Sequence, residues 1–246
     1  MKPDSQRPDP RLYARSFADV YQDWYGDLDD PAVMVQAFTA RCSPGARVLE
    51  LGSGTGRLAT PLHDAGFVVM ALDASPAMLG EAPHGPHVAA ADMAVLPIAD
   101  NSVDGALIAY NTLLNLASRA DQQRCFAELA RVLRPGGIVA IEAFIADTTD
   151  ESPFGVSLRD HPTNLTAQLA IITGPDEHDT EVIVGSHIEI GTSVVCRPWR
   201  LLYQSPHELD ICGEAVGLVL HHRCNDWAGA RFDPDGHRHV SWYERI

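Results

Sequence analysis

The stretch VLELGSGTGR, residues 48–57, places Gly52, Gly54 and Gly56 directly after a short apolar run. A glycine-rich turn between a strand and a helix lets backbone N–H groups approach a ligand, although a tight turn that binds nothing is the structural alternative. The dinucleotide fingerprint G-x-G-x-x-G would require its third glycine at Arg57. Glu50 adds a carboxylate that disfavours a pyrophosphate and tolerates a cationic ligand. The spacing therefore favours a zwitterionic or sulfonium cofactor over a dinucleotide.

Two further carboxylates close the next predicted strands. Asp73 ends FVVMALD roughly 20 residues after the glycines, where an acidic side chain can accept hydrogen bonds from both hydroxyls of a ribose. Asp92 ends the following strand, where a carboxylate can accept a hydrogen bond from the exocyclic amine of adenine. Both have structural alternatives. Asp73 can cap the following helix, a role that Ser75 can also fill, and Asp92 can be a surface carboxylate at a strand end.

These residues resemble the class I S-adenosylmethionine-dependent methyltransferases. Residues 50–56 match the first motif of that family, Asp73 its ribose-binding acid, residues 91–93 its adenine-contacting position, and LRPGG the turn before its fifth strand. The extra β segments and the closing RHVSWYERI are similar to small bacterial methyltransferases of metabolites and natural products. The resemblance implies S-adenosyl-L-methionine as cofactor and methyl transfer to an O or N nucleophile of a small molecule. A protein methyltransferase and a non-catalytic S-adenosylmethionine-binding protein are the alternatives.

The resemblance also assigns cofactor-binding positions along the first half of the chain. They are Tyr21, Glu50, Gly52, Ser53, Gly54, Gly56, Arg57, Asp73, Ala74, Met78, Ala91, Asp92, Met93, Tyr110 and Asn111. Near the N-terminus, Tyr21, Trp24 and Tyr25 are expected to form an aromatic lid over the site. An amphipathic helix that packs these aromatic residues into the core is the alternative interpretation.

Polar residues interrupt the apolar stretch IAYNTLLNL after the fourth predicted strand, at the sheet edge where ligands bind in open α/β folds. Asn111 is predicted to orient the reactants, since an amide cannot take up a proton near neutral pH, or else to turn the backbone. A general base would then come from the cover, with His161, His187 and His239 as candidates. Among these histidines His187 is the favoured catalytic candidate, because Glu189 lies on the same strand face. The preferred mechanism has no dominant base and relies on alignment of the reactants.

Short apolar strands alternate with helical segments from Pro31 to Phe144, which predicts a Rossmann-like α/β fold with a mainly parallel sheet and helices on both faces. The continuous apolar runs predict strands buried on both faces. Residues 163–203 read as three antiparallel β segments, with a kink or bulge at Pro198. The predicted domains are an N-terminal lid at 1–30, a cofactor-binding core at 31–146, a β insertion covering the substrate at 147–204, and a C-terminal helix with closing strands at 205–246. The predicted substrate-binding residues are Tyr25, Asn115, His187, Trp199 and Arg200.

Charge and composition argue against several kinds of partner. The chain has 33 acidic and 18 basic residues and a net charge of −15, which disfavours nucleic acid. It contains no apolar segment long enough to span a bilayer and opens without the apolar core of a signal peptide, so a cytoplasmic protein without membrane contact is expected. The scattered cysteines and histidines match no zinc pattern, so no metal site is predicted. The oligomeric state stays open between monomer and homodimer.

Overall fold

The computed structural model of the protein describes residues 12–25, 31–80, 85–146, 154–160, 165–173, 182–190 and 193–246. The helices are α1 Leu12–Phe17, α2 Tyr21–Tyr25, α3 Pro31–Thr39, α4 Ala59–Asp64, α5 Pro76–Leu79, α6 Arg119–Val132 and α7 Pro206–Glu214, with a 3-10 helix at Thr112–Asn115. The strands are β1 Arg47–Leu51, β2 Val68–Asp73, β3 His87–Ala90, β4 Val103–Ile108, β5 Leu133–Phe144, β6 Phe154–Asp160, β7 Leu165–Thr173, β8 Val182–Ile190, β9 Val194–Leu202, β10 Leu218–Cys224 and β11 Arg238–Arg245. Within these ranges no helix has the length and apolar character needed to cross a membrane.

Seven strands form the main sheet in the order β10-β11-β5-β4-β1-β2-β3. The strands β1 to β5 pair in parallel, whereas β11 pairs antiparallel with both β5 and β10. The strand order reverses between the neighbours β1 and β4, so the segments that follow them leave in opposite directions and open a crevice at their carboxyl ends. This confirms the predicted Rossmann-like α/β fold and locates the crevice beyond Leu51 and Ile108.

The main sheet separates two apolar layers, because successive side chains of a strand point to opposite faces. Leu49 packs on one face with Phe126 of α6, and Val48 packs on the other face with Phe38 of α3. The predicted burial of both strand faces therefore holds in the centre of the sheet. It is wrong for β3, whose four residues are all exposed, because β3 is a short edge strand with a single neighbour.

Polar caps define the ends of the longer helices. Ser118 is the N-cap of α6, and its Oγ accepts the Asp121 N–H at 3.1 Å. A capping box begins α7, since Ser205 Oγ accepts the Glu208 N–H at 3.3 Å and the Glu208 carboxylate accepts the Ser205 N–H at 2.7 Å. The predicted turn around Gly136 lies within β5, where it appears as an irregularity in the pairing with β4.

The insertion is a four-stranded antiparallel sheet in the order β6-β7-β8-β9, one strand more than predicted. The missed strand is Phe154–Asp160, whose sequence FGVSLRD has a weak apolar alternation. The pairing of β8 with β9 runs regularly through Ser186 and Pro198, so the predicted kink or bulge is wrong. Proline fits here because β9 is an edge strand and need not donate a second ladder of hydrogen bonds.

The described part of the N-terminal segment is attached to the insertion. α1 packs against β9, and Phe17 is fully buried in a cluster with Ile183 and Trp199. The guanidinium of Arg197 donates to both oxygens of the Asp19 carboxylate at 2.7 and 3.0 Å and to the Ser16 carbonyl at 2.7 Å. These contacts place α1 and α2 above the carboxyl ends of the main-sheet strands.

Candidate functional site

A cavity of about 320 Å³ lies at the carboxyl ends of β1, β2 and β4. The turns after these strands form its floor, while α1, α2 and one face of β8 and β9 form its cover. The structure brings most of the predicted site residues together in its lining. They are Tyr21, Tyr25, Gly52, Gly54, Arg57, Asp73, Ala74, Met78, Asp92, Met93, Tyr110, Asn111, Asn115, His187 and Trp199.

Five predicted residues lie outside this lining. They are Glu50, Ser53, Gly56, Ala91 and Arg200. The first three are buried at the glycine turn, and Ala91 packs against the core. Arg200 lies on the opposite face of β9 from Trp199, because side chains alternate along a strand, and its Nη1 donates to the Ala117 carbonyl at 3.4 Å. The structure therefore does not bring Arg200 to the predicted substrate site.

Thr112, one of the polar residues noted after the fourth strand, also lines the cavity. Four lining residues were missed in the sequence. They are Tyr13, Ala14, Leu116 and Leu201. Two of them could have been found, because Leu116 directly follows the predicted Asn115 and Leu201 shares the strand face of Trp199 by its spacing of two. No pattern within α1 distinguishes the side that faces the cavity, because that side depends on the packing of α1 on β9.

The glycine turn is shaped by neighbouring side chains as well as by backbone conformation. Gly52 and Gly54 have φ angles of 71° and 56°, in the left-handed region that favours glycine. A Cβ atom at position 52 would lie 2.1 Å from Cγ2 of Thr112, and one at position 54 would lie 3.2 Å from Cε of Met78. The absence of side chains therefore lets the turn pack against two neighbours that themselves line the cavity.

Asp73 holds the glycine turn against the end of β2. Its Oδ2 accepts the Gly54 N–H at 2.9 Å, and its Oδ1 accepts the Ser75 N–H at 2.8 Å. Ser75 is the N-cap of α5, so the alternative in which Asp73 caps this helix does not apply. Burial raises the pKa of Asp73, while the two backbone N–H donors oppose that shift. Each carboxylate oxygen keeps a second lone pair for a ligand in the cavity.

Asp92 lies at the opposite end of the lining from the cover. Its Oδ1 accepts the Ala94 N–H at 2.9 Å, which turns the chain after β3 and leaves Oδ2 for other donors. Met93 lines the cavity beside it. Asp73 and Asp92 therefore present two carboxylates from neighbouring strand ends to one cavity.

Glu50 is a buried carboxyl group directly below the glycine turn. Its side chain is 3% exposed, and its Oε2 has no hydrogen-bond partner among the described residues. Burial, with a smaller contribution from the charge of Asp73, raises the pKa of Glu50 to about 8. A cationic ligand above the turn would reverse this shift by favouring the charged carboxylate.

Arg57 supplies the complementary charge. Its Nη1 donates to the Tyr25 carbonyl, and its guanidinium lies 4.1 Å from the centroid of the Tyr110 ring. Its Nε and Nη2 are buried and make no hydrogen bond to any described residue. An acceptor-rich carboxyl beneath the turn and a guanidinium with two available donors beside it fit a ligand that carries both an ammonium and a carboxylate group.

The three candidate histidines have different positions. His187 is buried in the cover, with its ring centroid 5.2 Å from Phe17 and 5.6 Å from Trp24, and it lines the cavity. His239 is fully buried outside the lining, where burial lowers its pKa to about 4 and Nδ1 lies 2.8 Å from Ser241 Oγ. His161 lies outside the described residues. Only His187 of the two described candidates is therefore in the cavity.

Glu189, which was expected to orient His187, is engaged by an arginine. Its Oε2 accepts hydrogen bonds from Arg197 Nε at 3.3 Å and Nη2 at 3.2 Å. Arg197 thereby joins Glu189 on β8 to Asp19 in the N-terminal segment. The carboxylate of Glu189 thus contributes to attachment of the cover. No cluster of three or more potential metal ligands occurs in the part of the chain that the structure describes.

Comparison with known proteins gives one family and several relatives. The sequence profile of a family described as "Methyltransferase domain" matches residues 49–141. A demethylmenaquinone methyltransferase of Renibacterium salmoninarum is 38% identical over 104 residues, which cover 41% of this chain and 42% of that protein. An arsenite methyltransferase of Halobacterium salinarum is 35% identical over 149 residues, covering 55% of this chain and 35% of that protein. The chain thus spans about two fifths of the length of the curated relatives it matches.

Solved structures extend the similarity to nearly the whole chain. The CcbJ methyltransferase from Streptomyces caelestis has a TM-score of 0.84 and 28% identity, covering 97% of this chain and 100% of that chain. S-adenosylmethionine-bound CalS10, an amino pentose methyltransferase from Micromonospora echinaspora, has a TM-score of 0.67 and 20% identity, covering 91% and 96%. That second likeness concerns the fold alone.

The sheet order, the glycine turn and the two strand-end carboxylates define a nucleotide-type ligand site in a doubly wound α/β fold. Residues 49–141 match the methyltransferase-domain family, and nearly the whole chain is similar to the CcbJ methyltransferase, so the chain resembles S-adenosylmethionine-dependent methyltransferases.

The first prediction concerns proton release from Glu50. Because its pKa is about 8, Glu50 is largely protonated at pH 7 in the free protein. A bound ammonium group lowers that pKa, so cofactor binding should release about one proton. Calorimetry of S-adenosylhomocysteine binding in two buffers of different ionisation enthalpy counts this proton. Glu50→Gln should abolish the release, and equal proton counts for the two proteins would contradict the assignment.

The second prediction concerns Asp73. Asp73→Asn keeps one oxygen acceptor but removes the charge and the second acceptor, so affinity for S-adenosylhomocysteine should fall about 10- to 100-fold, equivalent to about 1.5–3 kcal/mol. Calorimetric titration measures the change. Ser75→Ala, which removes the neighbouring helix cap, is the matched control and should bind as the unmodified protein does. Unchanged affinity in folded Asp73→Asn would restrict Asp73 to a structural role.

Proposed function

We propose that this protein transfers a methyl group from S-adenosyl-L-methionine to an O or N nucleophile of a small-molecule metabolite or natural product. The observation that carries the proposal is the covered cavity, in which the glycine turn and the strand-end acids share one lining with aromatic residues of α1, α2 and β9. Tyr25, Trp199 and His187 belong to the cover, and Asn115 lies at its boundary with the floor. A concave cavity beneath a cover suits a small acceptor better than a folded protein surface.

The residues of the floor are proposed to bind the cofactor in an extended arrangement. Glu50 would face its ammonium group, and Arg57 would donate to its carboxylate. Asp73 would accept the ribose hydroxyls, and Asp92 the adenine amine. The other predicted cofactor-binding residues of the lining would provide backbone and van der Waals contacts, with Tyr21 contributing from the cover. They are Tyr21, Gly52, Gly54, Ala74, Met78, Met93, Tyr110 and Asn111. Ser53, Gly56 and Ala91 lie outside the lining and would support it.

The bound cofactor supplies a methyl group that its sulfonium already activates. What this chain adds is alignment of the acceptor with that methyl group and exclusion of water by α1, α2 and the β insertion. The acceptor forms a bond to the methyl carbon while the carbon–sulfur bond breaks, and the acceptor's proton passes to solvent or to a nearby base. Asn111 is proposed to help orient the reactants. Its Oδ1 accepts the Phe144 N–H at 2.7 Å, which fixes its amide at the rim of β5.

Small-molecule methyl transfer is also the described activity of two structural neighbours. CalS10 is described as an amino pentose methyltransferase and KedS8 as a sugar N-methyltransferase. Both share the fold of this chain at TM-scores of 0.67. They support a small-molecule acceptor as the substrate class, and this chain's own acceptor remains to be found by assay.

The third prediction tests the function. The protein should bind S-adenosylmethionine and S-adenosylhomocysteine but not NAD, because position 57 is arginine and Glu50 disfavours a pyrophosphate. A panel of small hydroxyl and amine compounds with methyl-labelled cofactor should yield one labelled small-molecule product per demethylated cofactor. Label found on protein would favour a protein methyltransferase. Cofactor binding without transfer to any acceptor would favour a non-catalytic binder, and binding of NAD alone would exclude the proposed function.

The fourth prediction concerns His187. Its ring is packed among Phe17, Trp24 and Trp199, and Glu189 binds Arg197, so we expect alignment to dominate over proton abstraction. His187→Gln should lower kcat by less than about tenfold at saturating cofactor, with an unchanged pH profile from pH 6 to 9. His221→Gln, at an exposed position of β10, is the control. A fall of about 100-fold or more with loss of a titration in the pH profile would establish His187 as the base.

A further inference from the structure

Tyr110 and Asn111, which follow β4, have φ angles of 52° and 62°. Two consecutive residues other than glycine in the left-handed region are unfavourable unless neighbouring groups hold them there. Both residues line the cavity. The strained turn therefore lies at the site itself, and the groups that hold it determine where two of the lining side chains stand.

One buried residue, Glu142 on β5, holds both positions of this turn. Its Oε2 accepts the Tyr110 N–H at 3.0 Å, and its backbone carbonyl accepts the Asn111 N–H at 3.2 Å. The side chain is 5% exposed, and Oε1 lies 3.6 Å from Nη1 of Arg238. Glu142 is not among the residues that line the cavity. Glu142 therefore lies behind the cavity, and its two contacts with the turn connect it to the lining.

Two contacts connect the Tyr110–Asn111 turn to the residues proposed to bind the cofactor. The Tyr110 ring lies under the Arg57 guanidinium, 4.1 Å from its centroid, and Arg57 also donates to the Tyr25 carbonyl of the cover. Thr112, the next residue after the turn, fills the space beside Gly52. A change in the turn would thus displace the guanidinium and press on the glycine turn at the same time.

We propose that Glu142 is a positioning residue: its carboxylate holds the left-handed Tyr110–Asn111 turn and thereby sets the position of Arg57 for the ligand's carboxylate. The part of this inference that concerns cofactor affinity rests on the proposed function. The part that concerns the turn rests only on the contacts of Glu142. Glu142 takes no part in the methyl transfer itself. Its effect should therefore appear in ligand affinity and in the protection of the turn's backbone amides from hydrogen exchange.

The fifth prediction uses two substitutions at this position. Glu142→Leu removes the acceptor for the Tyr110 N–H, and it should weaken S-adenosylhomocysteine binding about tenfold or more and accelerate hydrogen exchange of the peptide covering residues 109–116. Glu142→Gln retains an oxygen acceptor and should restore both readouts to within about threefold of the unmodified protein. If Glu142→Leu does not fold, Glu142→Asp, which withdraws the carboxylate by one methylene, makes the same comparison.

Asp104 provides the matched control. Asp104 lies at the opposite end of the sheet and makes the same two kinds of contact as Glu142. Its carboxylate accepts the Arg47 backbone N–H at 2.7 Å and forms an ion pair with Arg134 at 2.9 Å. Asp104→Leu should lower the melting temperature without changing ligand affinity or exchange at 109–116. Equal loss of affinity in both leucine variants, or unchanged exchange in Glu142→Leu, would overturn the proposal. If the unmodified protein binds no cofactor, the proposed function fails while the exchange comparison still decides the role of Glu142.

Discussion

The parallel pairing of β1 with β4 is the interaction on which the rest of the site depends. The helices that follow β1 and β4 lie on opposite faces of the sheet. The connecting segments therefore diverge and leave a crevice at the carboxyl ends of these two strands. The glycine turn and the Tyr110–Asn111 turn leave from this point and meet where Thr112 packs on Gly52. Glu50 pairs with Leu107 in the same central ladder, so its burial follows from its place in the sheet.

The site contains polar groups whose burial opposes folding in the absence of a ligand. Glu50 has a raised pKa, and Arg57 has two buried N–H donors without partners among the described residues. Such groups are costly in a low-dielectric interior and are enriched at functional sites. Their opposite preferences, for a cation and for an anion, match a zwitterion. Backbone strain is a second free-energy cost at the same cavity. Tyr110 and Asn111 lie in the left-handed region, and Glu142 holds them there.

Much of the cofactor floor could be predicted because its residues are adjacent in sequence to strand ends. Glycine spacing identified the turn, and the acids Asp73 and Asp92 each follow an apolar strand, so their meeting at one edge follows from parallel pairing. The cover was less predictable. Arg200 was assigned to the substrate site, yet it faces away from Trp199, because the residue spacing of a strand does not reveal which of its faces will be covered. Tyr13 was missed because the side of α1 that faces the cavity depends on the packing of α1 on β9.

The sequence by itself determined the class of fold, the glycine turn and the acids that follow the strands, since these depend on local backbone preference and on hydrophobic periodicity. Tertiary structure alone decided that Arg57 stacks on Tyr110, that Glu142 supports the turn from a neighbouring strand, and that Arg197 ties the N-terminal segment to the insertion. These contacts join residues far apart in the chain. Their existence depends on the relative placement of packed elements, which no local pattern of side chains encodes.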